Sequence, residues 1–173
     1  MAREVTPRIY VACLAAYNSG TLHGDWIDAA RDADALLEEI RGMLSRSPEP
    51  MAEEWAIHDY EGFHGLTLHE YEGIETVAAI AAFIEEHGKL GAAILSHCGR
   101  DIDEATAAIE EQYRGCYTSL ERFAEELYAE CYEIPKYLQN YIDYEAIARD
   151  MELSGDVFTI ETRFDEIHVF WSR

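Results

Sequence analysis

Histidines and carboxylates crowd together once in this chain, at His58-Asp59-Tyr60-Glu61-Gly62-Phe63-His64 followed by His69 and Glu70. Such side chains can ligate a metal or move protons, since imidazole and carboxylate are common metal donors and histidine titrates near neutrality. The spacing suits neither job. His64 and His69 are five residues apart, off the i, i+4 interval that places two ligands on one helix face, and the segment reads as strand and loop. A solvated loop or packed histidines is the plainer reading, so no metal and no cofactor is expected. Cys13, Cys98, Cys116 and Cys131 are scattered without a C-x-x-C pair; they are expected to be reduced and mostly buried. There is no G-x-S-x-G, P-loop or G-x-G-x-x-G. Carboxylates are so abundant that paired acids arise by chance, so no acid/base dyad stands out and no catalytic residue is assigned.

The abundance is the stronger signal. The 173 residues hold 13 Lys+Arg against 35 Asp+Glu, a net charge of −22. Nucleic acid and anionic lipid bind Lys and Arg clusters, so such a surface repels both; its partners should be basic. At 49% hydrophobic and 12% aromatic the chain is too apolar for a disordered acidic tail. Solubility alone asks for a net charge of only about 2–8 in a small domain. Salt adaptation is the other bland account; eleven tyrosines, with 24 Glu to 11 Asp, weigh against it. The charge is also spread evenly: residues 1–61 carry 12 acids to 5 bases, 62–104 carry 8 to 2, and 105–173 carry 15 to 6. Duplex DNA carries one charge per ~1.7 Å, so 35 carboxylates match roughly 60 Å of duplex and the net 22 roughly 37 Å. An elongated acidic chain could thus imitate DNA; the rival reading is ordinary solvated helix faces.

The elements that would position these acids fall into three parts, an α+β fold of small modules. In 1–61, the apolar run Ile9 to Tyr17 closed by Asn18-Ser19-Gly20, with Thr21 to Ile27 returning, predicts a hairpin. Asp32 or Asp34 can cap a helix striped by Leu36, Leu37, Ile40 and Leu44, and Trp55 to Tyr60 resembles a third strand. The part 62–112 reads as helical: a first helix from Leu68 with Ile74, Val77, Ala78, Ala81 and Ile84 spaced for burial, a stop at Gly88, a second near Leu90 to His97, and a third capped by Asp101 or Asp103. In 113–173, Tyr113 to Tyr117 is a strand, and Thr118 with Glu121 forms a capping box for a helix with Leu120, Phe123, Ala124, Leu127, Tyr128 and Cys131 on one face. Pro135 can start a short helix and Asp143 can cap Tyr144 to Glu152. Val157 to Glu161 and Ile167 to Trp171 alternate as strands. The N-terminal apolar run lacks a leader's cleavage site and no stretch reaches the ~20 apolar residues of a membrane helix, so the expectation is a cytoplasmic protein with no membrane partner.

Three stretches carry a family resemblance. Ile134-Pro135-Lys136-Tyr137-Leu138-Gln139-Asn140-Tyr141-Ile142-Asp143-Tyr144-Glu145-Ala146-Ile147-Ala148-Arg149-Asp150-Met151-Glu152-Leu153-Ser154-Gly155 closely resembles the signature of the ArdA antirestriction proteins. So do Ile9-Tyr10-Val11-Ala12 with Leu14, Tyr17-Asn18 and Gly20, running on to Trp26, and Glu53 through Glu61. The middle matches mainly in length, helicity and acidity. The resemblance implies a non-enzymatic inhibitor, typically encoded on mobile conjugative elements, that mimics DNA and occupies the DNA-binding site of Type I restriction-modification enzymes. It further implies an elongated homodimer of three-module chains joined through 113–173, whose 70 carboxylates would match roughly 120 Å of duplex. Leu138 to Leu153 would lie at or near that contact; by spacing alone, Leu138, Tyr141, Ile142, Ile147 and Met151 are either dimer interface or core of the third module. An acidic mimic of another DNA-binding protein's substrate, such as a nucleoid protein's, is the alternative. The helix-borne acids off the apolar stripes are the candidate partner-binding groups: Glu38, Glu39, Glu75, Glu85, Glu110, Glu121, Glu125, Glu126 and Glu130.

Overall fold

The first apolar run makes a strand shorter than its hydrophobicity suggests. The computed structural model describes residues 5–172, and in it β1 spans Arg8–Cys13, after which Leu14–Asn18 turns into a short helix, α1, rather than continuing to Tyr17. The reason is local: beyond Cys13 the run continues Leu-Ala-Ala, good helix formers without a β-branched residue. The returning strand β2 is correspondingly late, Gly24–Asp28, and pairs antiparallel with β1, Ile9 opposite Ile27 and Tyr10 opposite Trp26. Gly24 has to be glycine, because a Cβ there would lie 2.2 Å from the Val11 carbonyl oxygen. Strand β3, Trp55–Glu61, closes a sheet of order β2-β1-β3.

Helix α2, Ala33–Ser45, packs on β1 and β2. Its buried stripe is Leu36, Ile40 and Met43, with the expected Leu37 and Leu44 only half-buried. Asp32 occupies the N-cap position without a side-chain capping bond. The following helix starts at Ile74, not Leu68: α3 spans Ile74–His97, and Phe63, Leu66 and Leu68 are buried in the loop before it. Gly88 breaks α3 in two, with φ 58° and ψ −141°, a backbone conformation essentially restricted to glycine. The expected stop is there, as a sharp bend inside one element. α3 packs against α2, so sheet, α2 and α3 belong to one compact unit, Met1–Ile102.

The second unit is Asp103–Arg173. Helix α4, Ile102–Ala107, and a π-turn, Ala108–Gln112, lead into β4, Tyr113–Tyr117. Helix α5, Leu120–Cys131, is capped by Ser119, whose hydroxyl accepts from the Arg122 amide at 3.2 Å. Thr118 is therefore one residue too early and the Thr118/Glu121 box does not form. After α5 the chain makes a turn and a 3₁₀ segment, Gln139–Tyr141, instead of the helix expected at Pro135. Asp143 caps α6, Tyr144–Leu153, as expected, its Oδ1 accepting from the Ala146 amide at 2.9 Å. Strands β5, Val157–Arg163, and β6, Glu166–Trp171, complete a sheet of order β4-β6-β5. Helices α5 and α6 pack together and against this sheet around Phe123, Ala124, Ala148, Met151, Val157 and Val169. The molecule is α+β, with six α-helices and two small antiparallel sheets among the described residues. Among them, no helix is long and apolar enough to cross a membrane. Cys13 is buried, but Cys98 is half-buried and Cys116 and Cys131 are exposed, which corrects the expectation of mostly buried thiols; none of the four is in a disulfide.

Candidate protein-binding surface

Helical periodicity puts the acids outside by the same arithmetic that puts leucine inside. On α2, Glu38 and Glu39 are exposed; on α3, Glu75 stands in the first turn and Glu85 one residue past the buried Ile84; Glu110 is exposed in the π-turn. On α5, Glu121, Glu126 and Glu130 are exposed and Glu125 is half-buried. Two of the nine are neutralised. Glu39 sits 3.0 Å from the Arg31 guanidinium, and Glu125 is held by Arg122 one turn earlier. The other seven are in no ion pair among the described residues.

The like charges are placed where they repel. Glu126 and Glu130, and Asp34 and Glu38, are four apart on one helix, an arrangement that costs an isolated helix about 0.2–0.5 kcal/mol per pair. Their field is felt nearby: burial raises the Tyr117 hydroxyl above its ordinary value, and the Glu126 and Glu130 carboxylates raise it further. Carboxylates held on helices against mutual repulsion form a rigid negative surface, suited to cations already spaced for phosphates.

The C-terminal stretch divides. Met151 is 9% exposed and lies in the core of the second unit, with Ile147 packed against that core. Leu138 is 43% and Tyr141 84% exposed. Together with Tyr132 and the half-buried Ile142 they rim an apolar groove of about 400 Å³, and Tyr137 also stands in solvent. Spacing could not make this division, because α6 continues a helical stripe into the core while the turn before it has no helix to set its faces.

The histidine cluster is dispersed. His58 lies in β3 with Tyr17 edge-on at 4.8 Å and a Glu70 oxygen at 3.9 Å; His64 takes a left-handed turn conformation, φ 49°. Among the described residues, no group of three or more His, Cys, Asp or Glu could hold a metal. What sequence reasoning missed is the pairing of acids with arginines. Arg122 and Glu125 are three apart on a helix, a readable signal; Arg31 and Glu39 meet because Arg31 lies just before the first turn of α2, which no spacing rule announces.

No curated protein matches the chain. The model of the family described as antirestriction protein (ArdA) matches residues 9–166, from the first residues of β1 into β6 and across every acid considered above. The acidic, helix-mounted surface and the family match agree, and the chain belongs to the ArdA antirestriction proteins, non-enzymatic DNA mimics that inhibit Type I restriction enzymes.

Proposed function

We propose that Glu38, Glu75, Glu85, Glu110, Glu121, Glu126 and Glu130 are the groups with which this ArdA protein takes the place of DNA phosphates, and that Glu39 and Glu125 contribute less because arginines already hold them. The observation that carries the reading is the exposure of these seven carboxylates on helical and turn backbone, in no ion pair among the described residues. Lys and Arg that contact phosphate in the restriction enzyme meet carboxylates instead, with no duplex to bend.

The same reading arranges the chain as three modules, 1–61, 62–112 and 113–173, in an elongated dimer joined through the last. Tyr132, Tyr137, Leu138 and Tyr141 support it: exposed tyrosines and leucine around an apolar groove have the composition of a protein interface. A second copy covering them would double the negative surface.

The test is plating of unmodified phage on a host with a Type I system, with the wild type or a variant carrying Gln at all seven positions. The wild type should restore plating and the variant should not, while both melt alike. Full protection by the variant would overturn the assignment. Capture of a basic nucleoid protein with no protection by the wild type would favour the other acidic-mimic reading.

A further inference from the structure

One built feature plays no part in the tyrosine groove and shares only Glu38 and Glu39 with the candidate acids: a groove of about 460 Å³ between β2 and α2, lined by Asp25, Trp26, Arg31, Glu38, Glu39 and Arg46 with the small Ala35 and Gly42 on the helix side. Strand β2 is the edge of its sheet. The Cys13 amide donates to the His23 carbonyl at 2.8 Å and the Ala29 amide to the Pro7 carbonyl at 2.9 Å. Antiparallel alternation then directs the main-chain groups of Asp25 and Ile27 toward β1 and those of Gly24, Trp26 and Asp28 away from it. No strand pairs that outer edge among the described residues.

We propose that this edge and groove dock an extended, lysine- or arginine-bearing peptide segment, which adds to the sheet as a fourth strand beside β2. Main-chain hydrogen bonds would supply the pairing, as in other strand-addition sites. The side-chain anchors are in place. Trp26 is 40% exposed, its ring set by Tyr10 at 5.6 Å and by the Arg8 guanidinium at 5.5 Å, and Trp, Tyr and Arg are the residue types that dominate interface energetics. Charge selects the occupant. Asp25 and Glu39 are held by Arg46 and Arg31, but Glu38 and the outward Asp28 are in no ion pair among the described residues, and the net charge of −22 disfavours an acidic segment. Mimicry acts through summed charge and this site through backbone pairing; Glu38 serves both, and a comparison at equal charge separates them.

The test uses the full chain and two synthetic seven-residue peptides of alternating lysine and valine, one of them N-methylated on every backbone amide so that neither of its edges keeps a donor. Charge is the same in both; only the unmethylated one can donate main-chain hydrogen bonds to a strand edge. The unmethylated peptide should slow amide exchange at Gly24, Trp26 and Asp28 and bind roughly tenfold more tightly than its methylated twin, the worth of one or two net hydrogen bonds. Asp28→Pro removes an outward donor without breaking the ladder to β1, and should weaken binding by a similar factor relative to Asp28→Ala, which loses the carboxylate alone. Equal binding of the two peptides, protection confined to α5, or no binding at all would overturn the proposal; each would mean that the short, charge-flanked edge serves to prevent pairing. Plating protection by Asp28→Pro reports on mimicry independently.

Discussion

The two units carry similar acid but spend their apolar residues differently. Met1–Ile102 buries Ile9, Val11, Leu36, Ile40, Val77, Ile80, Ile84, Ile94 and Leu95 almost completely. In Asp103–Arg173 the helix-to-sheet cluster holds six buried residues, two of them alanines, and outside it only Phe170, Ile160, Ala105 and Ala108 are buried among the described residues, while Tyr132, Tyr137 and Tyr141 stand more than half exposed. A unit of about 70 residues with so little core is marginal by itself. The first unit therefore reads as a self-sufficient scaffold, and the second as one that gains from being covered.

Cutting the core of the second unit should have the largest effect. Phe123 is 3% exposed, in edge contact with Tyr117 and Trp171, and Phe123→Ala should cost about 3–5 kcal/mol. Differential scanning calorimetry should show unfolding in 103–173 at a lower temperature while residues 5–102 keep their protection in amide exchange. Loss of protection in both together would mean that the units share one cooperative transition.

Removing charge should come next and should leave both cores intact. Each exposed carboxylate facing a cation contributes about 0.2–1 kcal/mol. Changing Glu121, Glu125, Glu126 and Glu130 together to Gln should thus weaken binding to a Type I methyltransferase core by about 1–4 kcal/mol if their effects add. Glu125, held by Arg122, should account for the smallest share. The difference should shrink with added salt, as screened charges require. A single mutant that abolishes binding while the other three do nothing would point to a pocket contact in place of a distributed surface.

The exposed tyrosines give a third way to separate the units. Tyr141→Arg places charge in the apolar groove at a side chain 84% exposed, so it should leave the melting of the monomer within about 0.5 kcal/mol. Sedimentation equilibrium should nevertheless show weaker self-association, by about 1–2 kcal/mol if Tyr141 anchors the contact. The same change at Tyr71, 72% exposed in the first unit, should do nothing to association.

Much of this was readable from residues. Alternation found β5 and β6, Tyr113 to Tyr117 was readable as a strand, the Asp143 cap found α6, and glycine found the break at 88, because each signal is local and has one backbone solution. The exposure of the acids on α2, α3 and α5 followed from helical period as well, the half-buried Glu125 excepted. What failed depended on competition between neighbours: Leu-Ala-Ala could extend β1 or coil into α1, and Ser119 outcompeted Thr118 as a cap by one position. Phe63, Leu66 and Leu68 are buried in a loop, where no periodicity marks them. The candidate surface was legible as a set of residues but not in its pairings, since Arg31 reaches Glu39 only once α2 has been placed.

Acid should distinguish the units last and most finely, through two groups that fail in different windows. In the second unit, His168 accepts from and donates to fixed partners: Tyr113 Oη lies 2.9 Å from Nδ1 and Thr162 Oγ1 3.0 Å from Nε2. Thr162 gives its one proton to Glu166 Oε2, 3.0 Å away, so it must accept from Nε2–H, and neutral Nδ1 accepts from Tyr113. Burial lowers the His168 value below 6.5, with Glu166 opposing in part. The folded state then binds fewer protons than the unfolded one, so stability is intact above about pH 6.5 and falls as pH drops from there toward the folded value. In the first unit, burial would raise Glu72, but the Arg100 side chain, its Nη2 at 2.9 Å, and the His69 amide at 3.1 Å outweigh it and leave the carboxyl below 4.5. Here the folded value of an acid is depressed, so its contribution persists above about pH 4.5 and is lost as pH falls through the folded value. Amide exchange between pH 7 and 3 should accordingly show 103–173 loosening first. His168→Gln should flatten the upper part of that profile and Glu72→Gln the lower part. A His168→Gln profile identical to wild type above pH 5 would mean that the Tyr113–His168–Thr162 chain opens to water without cost.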